Sequence, residues 1–99
     1  MILMNVSGYN FQGSLDPYRG FIDIVAAVYT ILDDQSRLLD VGQTEDLNNR
    51  FLNHPRQNRW EVNKVGYLHL YILQIANEQT RLQIESLIRK QYNPSCGAR

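Results

Sequence analysis

The apolar positions of this chain form three segments with the composition of β-strands. Residues 22–32 are rich in β-branched side chains and almost continuously apolar, which is typical of a central strand. A hairpin-like connection over residues 33–36 leads to a second strand at residues 37–41, and residues 65–75 are expected to form a third. Alternation in the first strand predicts two faces, formed by Val25, Ala27, Tyr29 and Ile31 and by Ile24, Ala26, Val28 and Leu32.

Two other segments have helical periodicity. Leu47 and Phe51 are four residues apart, which places them on the buried face of a short helix that Pro55 ends. Residues 77–92 predict a second, longer helix, which Pro94 follows. The apolar stripe of this second helix consists of Ile84, Leu87, Ile88 and Tyr92.

The predicted element order is strand, strand, helix, strand, helix. We expect an α/β domain of the α+β type, in which a small three-stranded, mainly antiparallel β-sheet is flanked by helices. Residues 22–99 form this domain, with an irregular basic loop at residues 55–64 that Trp60 anchors. Residues 1–21 are poorly patterned and rich in turn signals, which predicts an N-terminal arm packed on the domain, with room for a short edge strand in residues 1–11.

Charge is unevenly distributed along the chain although the formal net charge is zero. Residues 1–47 carry two cationic and seven anionic side chains, whereas residues 48–99 carry eight cationic and three anionic ones. A basic half of this kind can face an anionic ligand. The alternative is that antiparallel packing mixes the two halves in space, and the sequence leaves both open.

Cysteine content and hydropathy limit the class of protein. The single cysteine, Cys96, excludes an internal disulfide and a multi-cysteine zinc site, and its place near the C-terminus indicates a reduced thiol without structural importance. No apolar run approaches the ~20 residues that span a bilayer, and residues 1–4 lack the features of a signal peptide. We therefore expect a cytoplasmic protein without a membrane partner.

The most informative stretch is residues 40–54. Gly42 follows an apolar run and is expected to let the backbone turn from the strand into the helix, which Thr44 caps. Arg50 and His54 are four residues apart and so share a neighbouring face of that helix. One guanidinium and one imidazole presented together could hold a phosphate group.

The ordered set of motifs over residues 24–97 resembles the GIY-YIG nuclease superfamily. The first tripeptide of the family falls on Ala27-Val28-Tyr29 and the second on Asp40-Val41-Gly42. The spacing that follows places the catalytic arginine of the family on Arg50 and its accompanying histidine on His54. The metal-binding glutamate falls on Glu85, in the later helix. The segment Gln91-Tyr92-Asn93-Pro94 is similar to the closing motif of the family.

Two positions depart from the family pattern. Asp40 stands where the second motif has a tyrosine, and Gly97 stands near where many members have an asparagine. Small single-domain relatives look similar in both places. An aspartate at position 40 could accept a proton from water or add a second metal ligand beside Glu85, but it could equally repel an anionic substrate.

The resemblance implies a metal-dependent endonuclease that hydrolyses DNA. Glu85 would bind one Mg²⁺ or Mn²⁺ ion, and Arg50 would hold the scissile phosphate with help from Arg56 and Arg59 in the following loop. Tyr29 would act as general base or orient the attacking water, and His54 would hydrogen-bond the phosphate or a tyrosine. A protein partner or a homodimer could supply DNA specificity. His69, on the third strand, is a weaker candidate.

Each candidate residue also has a purely structural interpretation. Glu85 could form an exposed ion pair with Arg81 or Arg89, and Arg50 could be a solvated helix residue. His54 could interact with a helix C-terminus, and Tyr29 could be a core tyrosine. Two functional alternatives follow: a catalytically inactive relative that binds nucleic acid or a protein partner, and a generic α/β interaction module.

Overall fold

The computed structural model describes residues 2–17, 26–52, 54, 56–94 and 96. These residues form an α+β domain in which helices lie against an antiparallel sheet. In chain order the elements are β1 (Ile2–Val6), β2 (Tyr9–Leu15), β3 (Ala27–Leu32), β4 (Leu38–Thr44), α1 (Leu47–Leu52), α2 (Gln57–Asn63), β5 (His69–Gln74) and α3 (Glu78–Tyr92).

The sheet has five strands, in the order β1-β2-β5-β3-β4, rather than the three that we predicted. The two additional strands come from the predicted N-terminal arm, which folds as a hairpin and pairs with β5. Ser7 and Gly8 both have positive φ and form the tight turn of this hairpin. Few side chains of the hairpin are buried, apart from Val6 and Phe11, so its strands lack an apolar period in the sequence.

Strand β3 lies in the centre of the core, and its six residues are all buried. The predicted alternation is confirmed for its described members, because Ala27, Tyr29 and Ile31 belong to one apolar cluster while Val28 and Leu32 belong to another. Residues 22–25 of the predicted strand lie outside the described residues. The first cluster packs under α1 and α2 and the second under α3, so helices cover both faces of the sheet.

The segment between the second and third predicted strands contains two short helices. Asp46, not Thr44, caps α1, since its Oδ1 accepts a hydrogen bond of 3.2 Å from the amide of Asn49. Residues 57–63, predicted as part of an irregular loop, form α2. The anchoring role of Trp60 is confirmed, because its side chain is fully buried in the first cluster.

Helix α3 matches the predicted span of residues 77–92 within one residue. Asn77 caps its start through the amide of Thr80, and Asn93 ends it in the left-handed region. The predicted stripe is half right, because Ile84 and Ile88 are buried. Leu87 and Tyr92 are exposed instead, and Arg81 takes a buried place. None of the described helices is long and apolar enough to cross a lipid bilayer.

Candidate functional site

Three of the predicted site residues meet on one face of the sheet near its β4 edge. Tyr29 comes from β3, Arg50 from α1, and His54 from the residues after α1. The hydroxyl oxygen of Tyr29 lies 2.7 Å from Nε2 of His54 and accepts a hydrogen bond of 3.4 Å from Nε of Arg50. Tyr29 and His54 are buried and Arg50 is half-buried, so the guanidinium lies between the core and the solvent.

The backbone after α1 determines which nitrogen of His54 carries the proton. The amide of Arg56 donates a hydrogen bond of 3.1 Å to Nδ1. In a neutral imidazole the proton is then on Nε2, which donates to the hydroxyl oxygen of Tyr29. That oxygen also accepts from Nε of Arg50, so both of its acceptor sites are occupied. The hydroxyl proton of Tyr29 is used in neither hydrogen bond and can be donated to a ligand.

Gly42 does not turn the chain, as we predicted, but lies within β4, directly opposite Tyr29. A Cβ atom added there would overlap the hydroxyl oxygen and Cζ of Tyr29 and would lie 2.9 Å from its Cε2. The glycine is therefore needed for close approach, because the tyrosine ring crosses the backbone of β4 at this point.

Asp40 is fully buried and joins the edge of the site to α2. Its Oδ2 accepts hydrogen bonds from Nε of Arg56 at 2.7 Å and from Nε1 of Trp60 at 2.9 Å, and its Oδ1 accepts from the amide of Val41 at 2.8 Å. A carboxylate with these partners holds α2 in place. The sequence left open whether Asp40 accepts a proton from water, adds a metal ligand beside Glu85 or repels the substrate; in the structure both of its oxygens accept hydrogen bonds from protein donors.

The aromatic rings of Phe51 and Trp60 pack around His54 and Tyr29. The ring of His54 lies 4.5 Å from that of Trp60 and 5.4 Å from that of Phe51, and Phe51 packs edge-on against Tyr29 at 4.8 Å. These contacts exclude water from the interior of the site and fix the orientation of the imidazole.

Burial keeps both His54 and Tyr29 uncharged at neutral pH. It lowers the pKa of His54 from 6.5 to about 3, and the charges of Arg56 and Arg50 act in the same direction. Burial also raises the pKa of Tyr29, which the hydrogen bond from Arg50 only partly opposes. Burial alone would lower the pKa of Arg56, but the hydrogen bond and the charge of Asp40 outweigh it and raise that pKa.

Glu85 lies on α3, which packs against the opposite face of the sheet from Tyr29. Its Oε2 pairs with Nη2 of Arg89 at 3.1 Å, which is one of the two ion pairs that the structural interpretation named. Arg89 also donates to the carbonyl of Val41 in β4, at 2.7 Å. The negative charge of Glu85 also raises the pKa of Arg56, but by less than Asp40 does.

No group of three or more potential metal-ligating side chains occurs among the described residues. A magnesium ion bound mainly through water needs only one accessible carboxylate. The side chain of Glu85 is 21% exposed and fits this requirement, with Arg89 as the competing cation.

Of the other predicted residues, Arg56 and Arg59 lie near this site. Arg56 is tied to Asp40 and its side chain is only 13% exposed, whereas Arg59 is exposed on α2. His69 lies elsewhere, beside Ser14 and Asp34. Our view of Cys96 as structurally unimportant was wrong, because it is fully buried and its amide donates to the carbonyl of Leu39 in β4 at 2.8 Å.

Two contributions to the site were not found by sequence reasoning. The sequence predicted Trp60 as a core residue but did not connect it to Asp40. It predicted that Arg56 contacts the substrate, whereas Arg56 forms a buried ion pair. The available signal was Asp40 itself. A carboxylate within an apolar strand needs buried partners, and a nearby arginine and tryptophan supply the donors that it can use.

Comparisons with protein-family models, with curated proteins and with solved structures returned no match.

Proposed function

We propose that this protein is an endonuclease of the GIY-YIG type, which hydrolyses DNA phosphodiester bonds at the β4 edge. The observation that carries the proposal is the convergence of the Tyr29 hydroxyl, the neutral imidazole of His54 and the guanidinium of Arg50. A hydroxyl donor next to a half-buried arginine is suited to one phosphate group and its attacking water.

In this proposal Arg50 binds the scissile phosphate and Tyr29 orients the water. The raised pKa of Tyr29 keeps the phenol protonated. His54 cannot take its proton, because Nε2 already carries one and Nδ1 accepts from the amide of Arg56. The water-orienting role therefore fits Tyr29 better than that of general base. Asp40 acts as a positioning residue through Arg56 and Trp60.

Glu85 is the residue that would hold Mg²⁺ or Mn²⁺. Because α3 covers the opposite face of the sheet from Tyr29, an ion on Glu85 would have to meet the phosphate around the β4 edge, where it would supply charge neutralisation and activation of water. Arg89 pairs with the same carboxylate, so binding of the ion has to compete with this salt bridge. Exposed Arg59 is placed to contact the DNA backbone beyond the scissile group.

A second candidate function is DNA binding without hydrolysis. It is favoured by the lack of exposed surface on Tyr29 and Asp40 and by the pairing of Glu85 with Arg89. In that case Arg50 and Arg59 would still contact phosphates, and binding would weaken with salt. A protein partner instead of DNA would give neither cleavage nor salt-dependent DNA binding.

The test is cleavage of supercoiled plasmid and of branched DNA in Mg²⁺ or Mn²⁺. The wild type is compared with Glu85→Gln and Arg50→Gln, and with Glu78→Gln as a matched control on the exposed start of α3. We expect wild-type cleavage, a loss of about 100-fold or more in the first two variants, and no change in the control. Salt-dependent binding without cleavage by the wild type would support the second candidate and reject the first.

A further inference from the structure

A second polar cluster lies away from the β4 edge, where β2 and β5 meet the turn between β3 and β4. The hydroxyl of Ser14 in β2 lies 2.8 Å from Nδ1 of His69, the first residue of β5. Nε2 of His69 lies 2.6 Å from Oδ1 of Asp34 in the turn. A hydroxyl, an imidazole and a carboxylate are thus joined in sequence by two short hydrogen bonds.

The direction of these hydrogen bonds follows from the carboxylate. The hydrogen bond from His69 lowers the pKa of Asp34, so at neutral pH the carboxylate is ionised and can only accept. Nε2 of His69 must then carry a proton. In neutral His69 the other nitrogen, Nδ1, is an acceptor, and Ser14 donates its hydroxyl proton to it. The serine is the donor of the pair and the imidazole is its base.

The position of Asp34 is determined by the loop before β5. Its Oδ2 accepts from the amide of Tyr67 at 3.1 Å, and its own amide donates to the carbonyl of Val65 at 3.0 Å. A Cβ atom at Gly66, whose φ is +76°, would overlap the Asp34 carboxylate. The absence of a side chain at Gly66 makes room for the Asp34 carboxylate. Asp34 in turn orients the ring of His69.

Ser14 also belongs to the wall of a surface cavity of about 370 Å³. Leu15 and Ile72 give this cavity an apolar part, and glutamine side chains give it a polar part. The full set of lining residues is Gln12, Gly13, Ser14, Leu15, Ile72 and Gln74. The volume is in the range of small-molecule sites and exceeds the needs of a short acyl chain.

We propose that Ser14 is a nucleophile, activated by His69 and Asp34, that cleaves carboxylic esters with a short apolar acyl group bound in this cavity. A nucleophile bonded to a base, which a third group orients, is the general arrangement for such catalysis. The roles of the two imidazole nitrogens are exchanged relative to the serine protease triad, in which Nε2 faces the serine. Base catalysis requires only that the nitrogen facing the serine be unprotonated.

The reaction balances with these groups and water alone. The Ser14 oxygen bonds to the carbonyl carbon while its proton passes to Nδ1 of His69. The ester C–O bond then breaks, and the alcohol leaves with that proton. Water attacks the acyl-serine by the same route, giving the carboxylic acid and the free serine.

The test is labelling by a fluorophosphonate probe, which forms a P–O bond to the serine and releases fluoride, with the site identified by mass spectrometry. Hydrolysis of p-nitrophenyl butyrate is measured in parallel. The variants are Ser14→Ala and His69→Gln, with Ser86→Ala as the control at an exposed serine of α3. Circular dichroism checks that each variant is folded.

We expect an adduct on Ser14 in the wild type and none in Ser14→Ala. In His69→Gln the adduct should form at least about 100-fold more slowly. Ester hydrolysis should fall in the same two variants, while the Ser86→Ala control labels and hydrolyses like the wild type. No adduct on Ser14, labelling that is spread over Ser86 and other exposed serines, or labelling that is unchanged in His69→Gln would each overturn the proposal.

Discussion

The two polar clusters of this domain differ in how they are related to solvent. The cluster at the β4 edge, with Tyr29, Asp40 and His54, is buried and lies under α1 and α2. The cluster of Ser14, His69 and Asp34 is open, with the side chains of His69 and Asp34 exposed by 33% and 43%.

Because one cluster is buried and the other is open, we expect them to contribute differently to stability and to reactivity. Among the described residues, every buried side-chain nitrogen or oxygen has a hydrogen-bond partner, so removing one member at the β4 edge leaves another unsatisfied. At the open cluster water can replace a lost partner. We expect substitutions at the β4 edge to affect mainly stability, and substitutions at the open cluster to affect mainly reactivity.

The largest effect is expected from Asp40→Ala. It leaves the guanidinium of Arg56 and the indole N–H of Trp60 without their acceptor in the interior. We predict a loss of about 3–5 kcal/mol in the free energy of unfolding, measured by urea denaturation. Asp34→Asn, in the open cluster, serves as the control and should leave the urea midpoint nearly unchanged. Equal effects of the two substitutions would contradict the comparison.

The second effect is a pH dependence that His54 causes. Its pKa of about 3 in the folded state lies below the ordinary 6.5, so between these values the unfolded chain binds a proton that the folded chain does not. Stability must therefore fall as pH is lowered from 6.5, by roughly 1.4 kcal/mol per pH unit at most, and be fully present above pH 6.5.

The variant His54→Gln isolates this term, and its unfolding free energy should change less between pH 6.5 and 4. Asp33 titrates lower. Burial alone would raise its pKa, but hydrogen bonds from Arg37 and nearby amides reduce it to about 2. Asp33 therefore contributes stability that is lost below about pH 4, outside the window used for His54. An unchanged slope in His54→Gln would show that His54 is not the group responsible.

The third effect concerns the packing of Tyr29 over Gly42. Because a Cβ atom at position 42 overlaps the tyrosine ring, Gly42→Ala should lower the unfolding free energy by about 1–3 kcal/mol. Combining it with Tyr29→Leu should give a cost well below the sum of the two single variants, since the ring that clashes is gone. Additive costs in thermal or urea denaturation would show that the two residues do not press on each other.

The fourth effect, similar in size to the third, concerns the hydroxyl of Tyr29. Tyr29→Phe removes the shared acceptor of His54 and Arg50, which should cost about 1–3 kcal/mol because one of these donors is buried. Tyr67→Phe is the matched control, since Tyr67 is exposed, and it should fall within about 0.5 kcal/mol of the wild type. If Tyr67→Phe lowered the free energy of unfolding as much as Tyr29→Phe does, the buried hydroxyl of Tyr29 would have no special role in stability.

The sequence predicted those parts of the fold whose burial is periodic. The two faces of β3 and the span of α3 were predicted because their apolar residues repeat at the period of the element. For the region of the β1–β2 hairpin the sequence allowed only a short edge strand, because most of the hairpin's side chains face solvent and it extends a sheet whose pattern lies elsewhere. Helix α2 was missed because Trp60 is the only buried residue among its seven.

Part of the Tyr29 cluster was predictable from the sequence, including the hydrogen bond of His54 to a tyrosine, which was one of two alternatives. Tyr29, Arg50 and His54 were chosen from spacing and resemblance, and the structure brings them together. The partners of Asp40 are 16 and 20 residues away, at the N-cap and within a helix that had no predicted face, so the sequence could not pair them. The chain of Ser14, His69 and Asp34 depends on the missed hairpin and was out of reach for the same reason.

The proposed chemistry of the β4 edge depends most on the neutral imidazole of His54 that donates to Tyr29. The direct measurement is the pair of ring ¹⁵N chemical shifts of His54, followed by NMR from pH 7.5 to pH 5. We expect a protonated Nε2 and an unprotonated Nδ1 throughout this range, because burial and the neighbouring arginines oppose the charged form. A ring that gains a proton near pH 6.5, or that carries its proton on Nδ1, would contradict the account.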